Sequence, residues 1–396
     1  MAGSSMSEGR RTLDRFDLDD LRWAVRELCA RYPAEYWRRA DEERAYPEEF
    51  VSALTEAGYL AMLIPTEYGG SGASLVEAAT VIEEIHRSGG SAASCHGQIY
   101  MMLALVRHAS LEQRQRFLPA LARGHLRLQS FGVTEPTSGS DTASLQTRAR
   151  REGSHYVING QKLWTSRLQH SDLLLLLART SDAPEGGRRT DGLSLFLVDV
   201  SSALGQGMKV QPLRTMVNHE TNAVYFDGLA VGSDRLIGEE GQGFRYVLDG
   251  MNAERIVIAS ECIGDGHWFV TTASKYAAER TVFGRPIGQN QGVAFPLARC
   301  YAAVRAAALM RDEAARKFDL GGQCGEEANL AKLLAADASW EAANAAVQTL
   351  GGFAFAPEYD VERKFRETRL YQVAPVSTNL ILAYLAQNVL GLPRSY

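Results

Sequence analysis

The stretch Phe131-Gly-Val-Thr-Glu-Pro-Thr-Ser-Gly-Ser-Asp141 stands where the texture of the chain changes. Before it, from Leu13 to about Gly124, apolar residues recur at helical spacing. Segments such as Asp19 to Arg31, Glu48 to Ala57, Leu75 to His86 and Leu111 to Leu121 are punctuated there by Gly and Pro. After it come short runs rich in strand formers: His155 to Ile158, Leu173 to Leu177, Leu193 to Val198 and Ala223 to Phe226. Asn159-Gly160 predicts a tight hairpin turn, because both residues tolerate positive φ. Beyond Gly241 long helical patterns return, roughly Phe244 to Glu279, Asn290 to Phe318, Glu326 to Leu350 and Val361 to Leu390, enough for an antiparallel bundle. The expected class is α+β, mainly α. It comprises a disordered tail over 1–12, an N-terminal helical domain over 13–124, a middle β domain of sandwich or barrel-like form over 125–238, and a C-terminal four-helix bundle over 239–396.

Bulk properties narrow the function. A chain of 396 residues exceeds the size at which one core stops growing, so several packed units are expected. The formal net charge of -5 and the lack of a Lys/Arg tract argue against nucleic acid as a partner. Cys29, Cys95, Cys262, Cys300 and Cys324 are far apart, with no CxxC pair and no zinc-ligand spacing, so no metal site and a reducing, cytoplasmic setting are expected. The longest apolar run, Leu173 to Ala178, is far below the ~20 residues of a membrane span, and none is expected. Met1 to Arg10 lacks the apolar stretch of a secretory signal. The Gly-rich, charged segment Asp182 to Asp191 reads as an exposed excursion.

The chemistry should start at the 131–141 stretch. Its hydroxyls, small residues and proline turn directly follow an apolar run, so the loop can aim N–H groups and Ser/Thr oxygens at a polar ring edge or a pyrophosphate. Read alone, it is equally an ordinary turn. Its neighbours decide otherwise. Thr134-Glu135-Pro136 followed by Gly139-Ser140-Asp141 resembles the flavin loop of acyl-CoA dehydrogenases. Further matches follow in order: Trp164-Thr165-Ser166, Arg280 with Phe283-Gly284 and Gln291, Gln348 with Gly351-Gly352, and Tyr359 to Glu367. The resemblance covers nearly the whole chain.

That resemblance implies FAD. Phe131, Val133, Thr134 and Ser140 would lie against the flavin or the start of the substrate, and Thr134 would bond the pyrimidine edge of the ring. Trp164, Thr165 and Ser166 would flank the ring near its reactive nitrogen, with Ser377 and Asn379 also in the cofactor set. In this family a neighbouring subunit also reaches the FAD, and Arg280, Phe283, Gln291, Gln348, Gly351 and Gly352 match it, which implies a homotetramer built from dimers.

The reaction requires a carboxylate beside the α-carbon, since a thioester α-proton leaves only when a positioned base and carbonyl polarisation act together. Many relatives carry that Glu near the end, in a Tyr-Glu-Gly-Thr type sequence. Here the stretch is Tyr371-Gln-Val-Ala-Pro-Val-Ser-Thr-Asn379, with Pro375 in its place. The resemblance to the isovaleryl and long-chain branch instead points to Met251-Asn-Ala-Glu-Arg-Ile256, making Glu254 the candidate base and Asn252, Arg255 and Ser140 the substrate contacts. Arg255 equally suits an ion pair that steadies the helix. Pro375 also lacks the N–H that relatives aim at the thioester oxygen, so either another donor serves or the local register differs. A lone helical Glu is usually a solvated carboxylate, and the pair Met101-Met102 near His96 is usually core packing.

The implied activity is α,β-dehydrogenation of an acyl-CoA to a trans-2-enoyl-CoA, with electrons passed to an electron-transfer flavoprotein. Two alternatives stand beside it: an oxygen-using monooxygenase or oxidase of the same fold, and a flavin-free binding protein.

Overall fold

The computed structural model describes residues 15–394. The expected tail over residues 1–12 lies outside them. The chain opens with six helices: α1 (Arg15–Ala30), α2 (Ala34–Glu42), α3 (Glu48–Glu56), α4 (Leu75–Arg87), α5 (His96–His108) and α6 (Leu111–Ala122). Two of them begin on reciprocal caps. The Ser74 hydroxyl accepts from the Glu77 N–H while the Glu77 carboxylate accepts from the Ser74 N–H, and Ser110 with Gln113 repeats the device. α4 then buries Leu75, Ala78, Ala79, Ile82 and Ile85, a stripe at helical spacing.

The middle of the chain forms β1 (Ser130–Gly132), β2 (Arg148–Glu152), β3 (His155–Ser166), β4 (Leu173–Arg179), β5 (Leu193–Asp199), the single turn α7 (Val200–Ala203), β6 (Met208–Pro212), β7 (Thr221–Gly232) and β8 (Leu236–Ile237). These strands make one sheet in the order β6-β7-β3-β2-β4-β5-β8, with β1 parallel on β4. Strand β4 is apolar on both faces because both are covered. Leu173, Leu175 and Leu177 pack with Met102, Leu105 and Leu118 of the helices, while Leu174 and Leu176 pack with Phe196 and Val224 inside the sheet domain.

Asn159-Gly160 is not a hairpin turn. Both residues lie inside β3, where the register against β7 slips between Ile158 and Gly160. Gly160 uses its freedom there: its φ is 146°, and a Cβ would stand 2.5 Å from Thr147 Oγ1. The hairpin instead turns at Gly153-Ser154, between the paired Glu152 and His155, with Gly153 at φ 61°.

The C-terminal part holds α8 (Gly243–Glu279), the short ladder of β9 (Thr281–Val282) and β10 (Arg285–Pro286), then α9 (Gln291–Asp319), α10 (Gly325–Leu350), α11 (Val361–Arg369) and α12 (Thr378–Tyr384). α8, α9, α10 and α11 form the bundle, and α4 and α5 pack on α8 from the N-terminal side. Two glycines allow the close approach. A Cβ at Gly264 would lie 2.4 Å from the Glu83 carbonyl of α4, and one at Gly266 would lie 2.6 Å from Val304 of α9. The expected single helix over 361–390 is broken: α11 stops at Arg369 and α12 begins at Thr378. Pro375 is the reason, since it has no N–H to donate and disfavours helical backbone at the residue before it. The buried Lys332 ammonium gathers the freed carbonyls, donating to Tyr371 O at 2.5 Å and to Val376 O at 2.8 Å.

α9 is, among the described residues, the one helix long and apolar enough to cross a membrane. It carries Arg299 and Arg305, and its inward stripe of Leu297, Cys300, Val304 and Ala307 is buried in the bundle. Phe295, Tyr301 and Leu309 remain exposed on its outer face.

Candidate active site

The 131–141 loop leaves the sheet at β1 and is fixed from below. Lys162 on β3 donates to Val133 O at 2.9 Å and to Glu135 Oε1 at 2.8 Å, and Glu135 also accepts the N–H groups of Gln146 (2.6 Å) and Thr147 (2.9 Å). Burial pushes the Glu135 carboxyl up, but Lys162 and the two amides outweigh it and hold it below its usual range. Burial in turn lowers the Lys162 ammonium to about 8. The Leu163 N–H donates to Thr134 O at 2.8 Å, which ties the loop to the segment carrying Trp164. Phe131, Val133 and Thr134 are half-buried, and Ser140 is exposed at the loop tip.

β3 ends on Trp164-Thr165-Ser166. Trp164 has a left-handed backbone, φ 60°, and is 57% exposed, an unusual place for an indole. Next to it the Thr165 hydroxyl is fully buried and has no hydrogen-bond partner among the described residues. A flat ring against the indole, with a polar edge toward Thr165, satisfies both oddities, so these residues fit the flavin of FAD. Ser166 is steadied by Ser130, which donates to its carbonyl at 2.8 Å.

Glu254 sits in the first third of α8 and is 7% exposed. It lines a cavity of about 20 Å³ together with Tyr100, Met101, Ala104, Phe131 and Met251. Burial pushes its carboxyl above the usual range, against the opposing pull of the Tyr100 hydroxyl, Arg255, His96 and Lys332. The structure thus joins Glu254 with Phe131 of the loop, two residues 123 positions apart, on one apolar wall. Arg255 donates to Asn252 Oδ1 at 3.0 Å and closes no carboxylate ion pair among the described residues; its Nε is buried without a partner.

The second cofactor set lies elsewhere. Arg280 caps α8 about 26 residues beyond Glu254, roughly 39 Å along the helix. There its guanidinium lies 5.7 Å from the Phe353 ring, beside the exposed Gly351 and Gly352. Phe283 is fully exposed with φ 52°, and Gln291 and Gln348 are exposed too. Ser377 spends its oxygen capping α12, accepting from the Leu380 N–H at 3.3 Å, and Asn379 is exposed on the same helix.

Two members of the site escape motif reading. Tyr100 is placed by the packing of α5 on α8, and Lys162 of β3 by its side-chain pairing with Glu135 of the loop. A polar residue one turn after His96 within an apolar helix was the available signal for Tyr100. A buried column of paired charges continues along α8 beyond Glu254: His96 Nδ1 lies 2.5 Å from Glu261, His86 Nδ1 lies 2.8 Å from Asp265, and Lys364 of α11 pairs with Asp265.

The N-terminal, middle and C-terminal domain models of the acyl-CoA dehydrogenases match residues 17–125, 130–229 and 241–390. Acyl-CoA dehydrogenase FadE12 of Mycobacterium tuberculosis is 34% identical over 386 residues, covering 95% of this chain and 96% of its own. An acyl-CoA dehydrogenase of Bacillus subtilis is 33% identical over 362 residues, covering 90% and 93%. The solved complex of glutaryl-coenzyme A dehydrogenase with glutaryl-CoA superimposes with a TM-score of 0.89 at 28% identity, over 98% of both chains. This chain therefore belongs to the acyl-CoA dehydrogenase family, whose members are FAD-dependent oxidoreductases.

Proposed function

We propose that this protein dehydrogenates an acyl-CoA thioester to a trans-2-enoyl-CoA, with Glu254 as the base that takes the α-proton. The observation that carries the reading is the buried Glu254 carboxyl on the wall of an apolar cavity that it shares with Phe131 of the flavin loop. A carboxyl whose proton affinity is raised by burial is a stronger base when ionised, which suits a weakly acidic α-carbon. Asn252, two residues before Glu254, and Arg255, directly after it, would hold the acyl-CoA, and they are hydrogen-bonded to each other. Thr134, Trp164, Thr165 and Ser166 would hold the flavin, with Ser140 at the tip of the loop. FAD, when bound there, supplies the two-electron acceptor for the hydride leaving the β-carbon.

Arg280, which the resemblance groups with Phe283, Gln291, Gln348, Gly351 and Gly352, stands roughly 39 Å along α8 from Glu254. We therefore propose that a second copy brings them to the cofactor, in a homotetramer made of two such dimers. The exposed Phe283, Phe295, Tyr301 and Leu309 supply apolar area for such contacts. An electron-transfer flavoprotein is the proposed electron acceptor. Pro375 supports a second reading, oxygen-using chemistry on the same frame, because it removes an N–H from the place where relatives polarise the thioester.

Anaerobic addition of straight, branched and cyclic acyl-CoAs to the yellow protein tests both readings. Bleaching by one thioester class, lost in Glu254→Gln, is the expected result. No bleaching by any thioester, with rapid reoxidation in air after chemical reduction, favours the oxygen-using reading instead.

A further inference from the structure

We propose that Tyr100 is a positioning residue for the base: its hydroxyl, presented by α5 across the cavity, hydrogen-bonds Glu254 in its charged form and holds it ready to receive the proton. The inference rests on the reading of Glu254 as the base. It begins with the way α5 and α8 pack. His96 Nδ1 lies 2.5 Å from Glu261 Oε1, which pins the two helices at one level. Tyr100 follows His96 by one turn on α5, while Glu254 precedes Glu261 by two turns on α8, so antiparallel packing sets Tyr100 opposite Glu254. Gly250, one turn before Glu254, brings the α8 backbone beside α5 there: a Cβ built on it would lie at contact distance, 3.7 Å, from the Tyr100 carbonyl oxygen. Tyr100 and Glu254 consequently line the same cavity, whose other walls include Met101, Ala104 and Phe131.

Among the described residues, none of the charged groups that face Glu254 is hydrogen-bonded to it; they act on it through space. Arg255, on its own helix, donates to Asn252 Oδ1 at 3.0 Å. His96 of α5 is held by Glu261, and Lys332 of α10 is spent on the carbonyls of Tyr371 and Val376. Among the described residues no other acceptor holds the Tyr100 hydroxyl, which shares the cavity with Glu254 and pulls the carboxyl's proton affinity down against the larger upward push of burial. The phenol itself is driven well above its usual range, by burial and then by the Glu254 and Glu261 charges, so it stays protonated and remains a donor. The chemistry of the partner matters. A cation bonded directly to the carboxylate would leave it too weak a base, whereas burial without any donor would leave it protonated at neutral pH. A phenol is intermediate: it stabilises the ion without neutralising it.

Infrared titration tests this directly, on the flavin-loaded protein and without turnover. The carbonyl band of the protonated Glu254 carboxyl, identified by its absence in Glu254→Gln, is followed against pH in the native protein and in Tyr100→Phe. The expected result is a midpoint raised by about one pH unit or more in Tyr100→Phe, the size of a hydrogen bond to a charged group. The acid limb of flavin reduction by acyl-CoA should move upward by the same amount, with the rate at high pH retained within a few-fold. Tyr100→Leu, matched in flavin content and melting temperature, should behave like Tyr100→Phe. A midpoint and acid limb unmoved in both variants would overturn the role of Tyr100 and leave Glu254 as the base. Full turnover in Glu254→Gln would instead overturn the reading on which the role rests.

Discussion

Lys162 on β3 holds the Glu135 carboxylate at 2.8 Å beneath the flavin loop, and both side chains are sealed from water. A pair buried this deeply is an anchor with a known weakness: removing one partner strands the other's charge. Lys162→Met is expected to lower unfolding free energy by about 3–5 kcal/mol and to loosen FAD retention. The double change Glu135→Gln with Lys162→Met should recover much of that loss. Urea unfolding of the four proteins gives the coupling; additive losses would contradict it.

Glu83 of α4 is held between Arg311 Nη2 at 2.6 Å and Arg22 Nη1 at 3.1 Å. Burial pushes its carboxyl up, but the two guanidiniums prevail and hold it at about 2, below the ordinary 4.5. Its folded pKa is depressed, so its contribution is fully present above pH 4.5 and is lost as pH falls toward 2. That contribution is roughly 3 kcal/mol. Thermal melts of the native protein should show a steep loss across this window, and Glu83→Gln should be less stable at neutral pH with a flatter acid dependence. Parallel curves for the two proteins would refute it.

Glu254 carries the opposite sign. Its raised pKa means that the folded state bears a cost when the carboxyl is ionised, so Glu254→Gln is expected to melt no lower than the native protein at neutral pH. Its flavin reduction by acyl-CoA should nevertheless fall by about 10²–10⁴-fold. In the native enzyme the rate should decline as pH drops through a value above the usual carboxylate range. A variant that lost both stability and activity would mark Glu254 as structural.

Phe283 projects fully into solvent from a left-handed backbone. Phe283→Ser should shift the assembly toward smaller species in light scattering and lower the ratio of flavin to protein. A tetramer with full flavin content would argue that this end of the bundle is not part of the shared site.

How much of this was legible depended on the range of the interactions. The long helices α8, α9 and α10 could be read to within a residue or two because Gly241, Asn290 and Gly325 punctuate them locally. Asn159-Gly160 misled because positive φ serves a bulge as well as a turn, and only pairing with β7 on the far side distinguishes them. Pro375 was visible, yet the apolar pattern around it read as one helix; how the break it makes is satisfied was not, because the donor is Lys332, some forty positions earlier, which collects the carbonyls on both sides. Glu254 could be nominated by its motif, whereas Tyr100 could not, because its place is set by helix packing across about 150 residues of chain.

The insertion of the whole sheet between α6 and α8 also imposes a schedule on the ribosome. α4 and α5 emerge about 150 residues before the helix that covers them, a delay of roughly 10–30 s at ordinary elongation rates. During that interval Ile82, Ile85 and Ile99, all sealed in the finished core, have no α8 to pack against. The nascent N-terminal domain is thus a natural client for chaperones, and the sheet must fold while tethered to an unfinished neighbour.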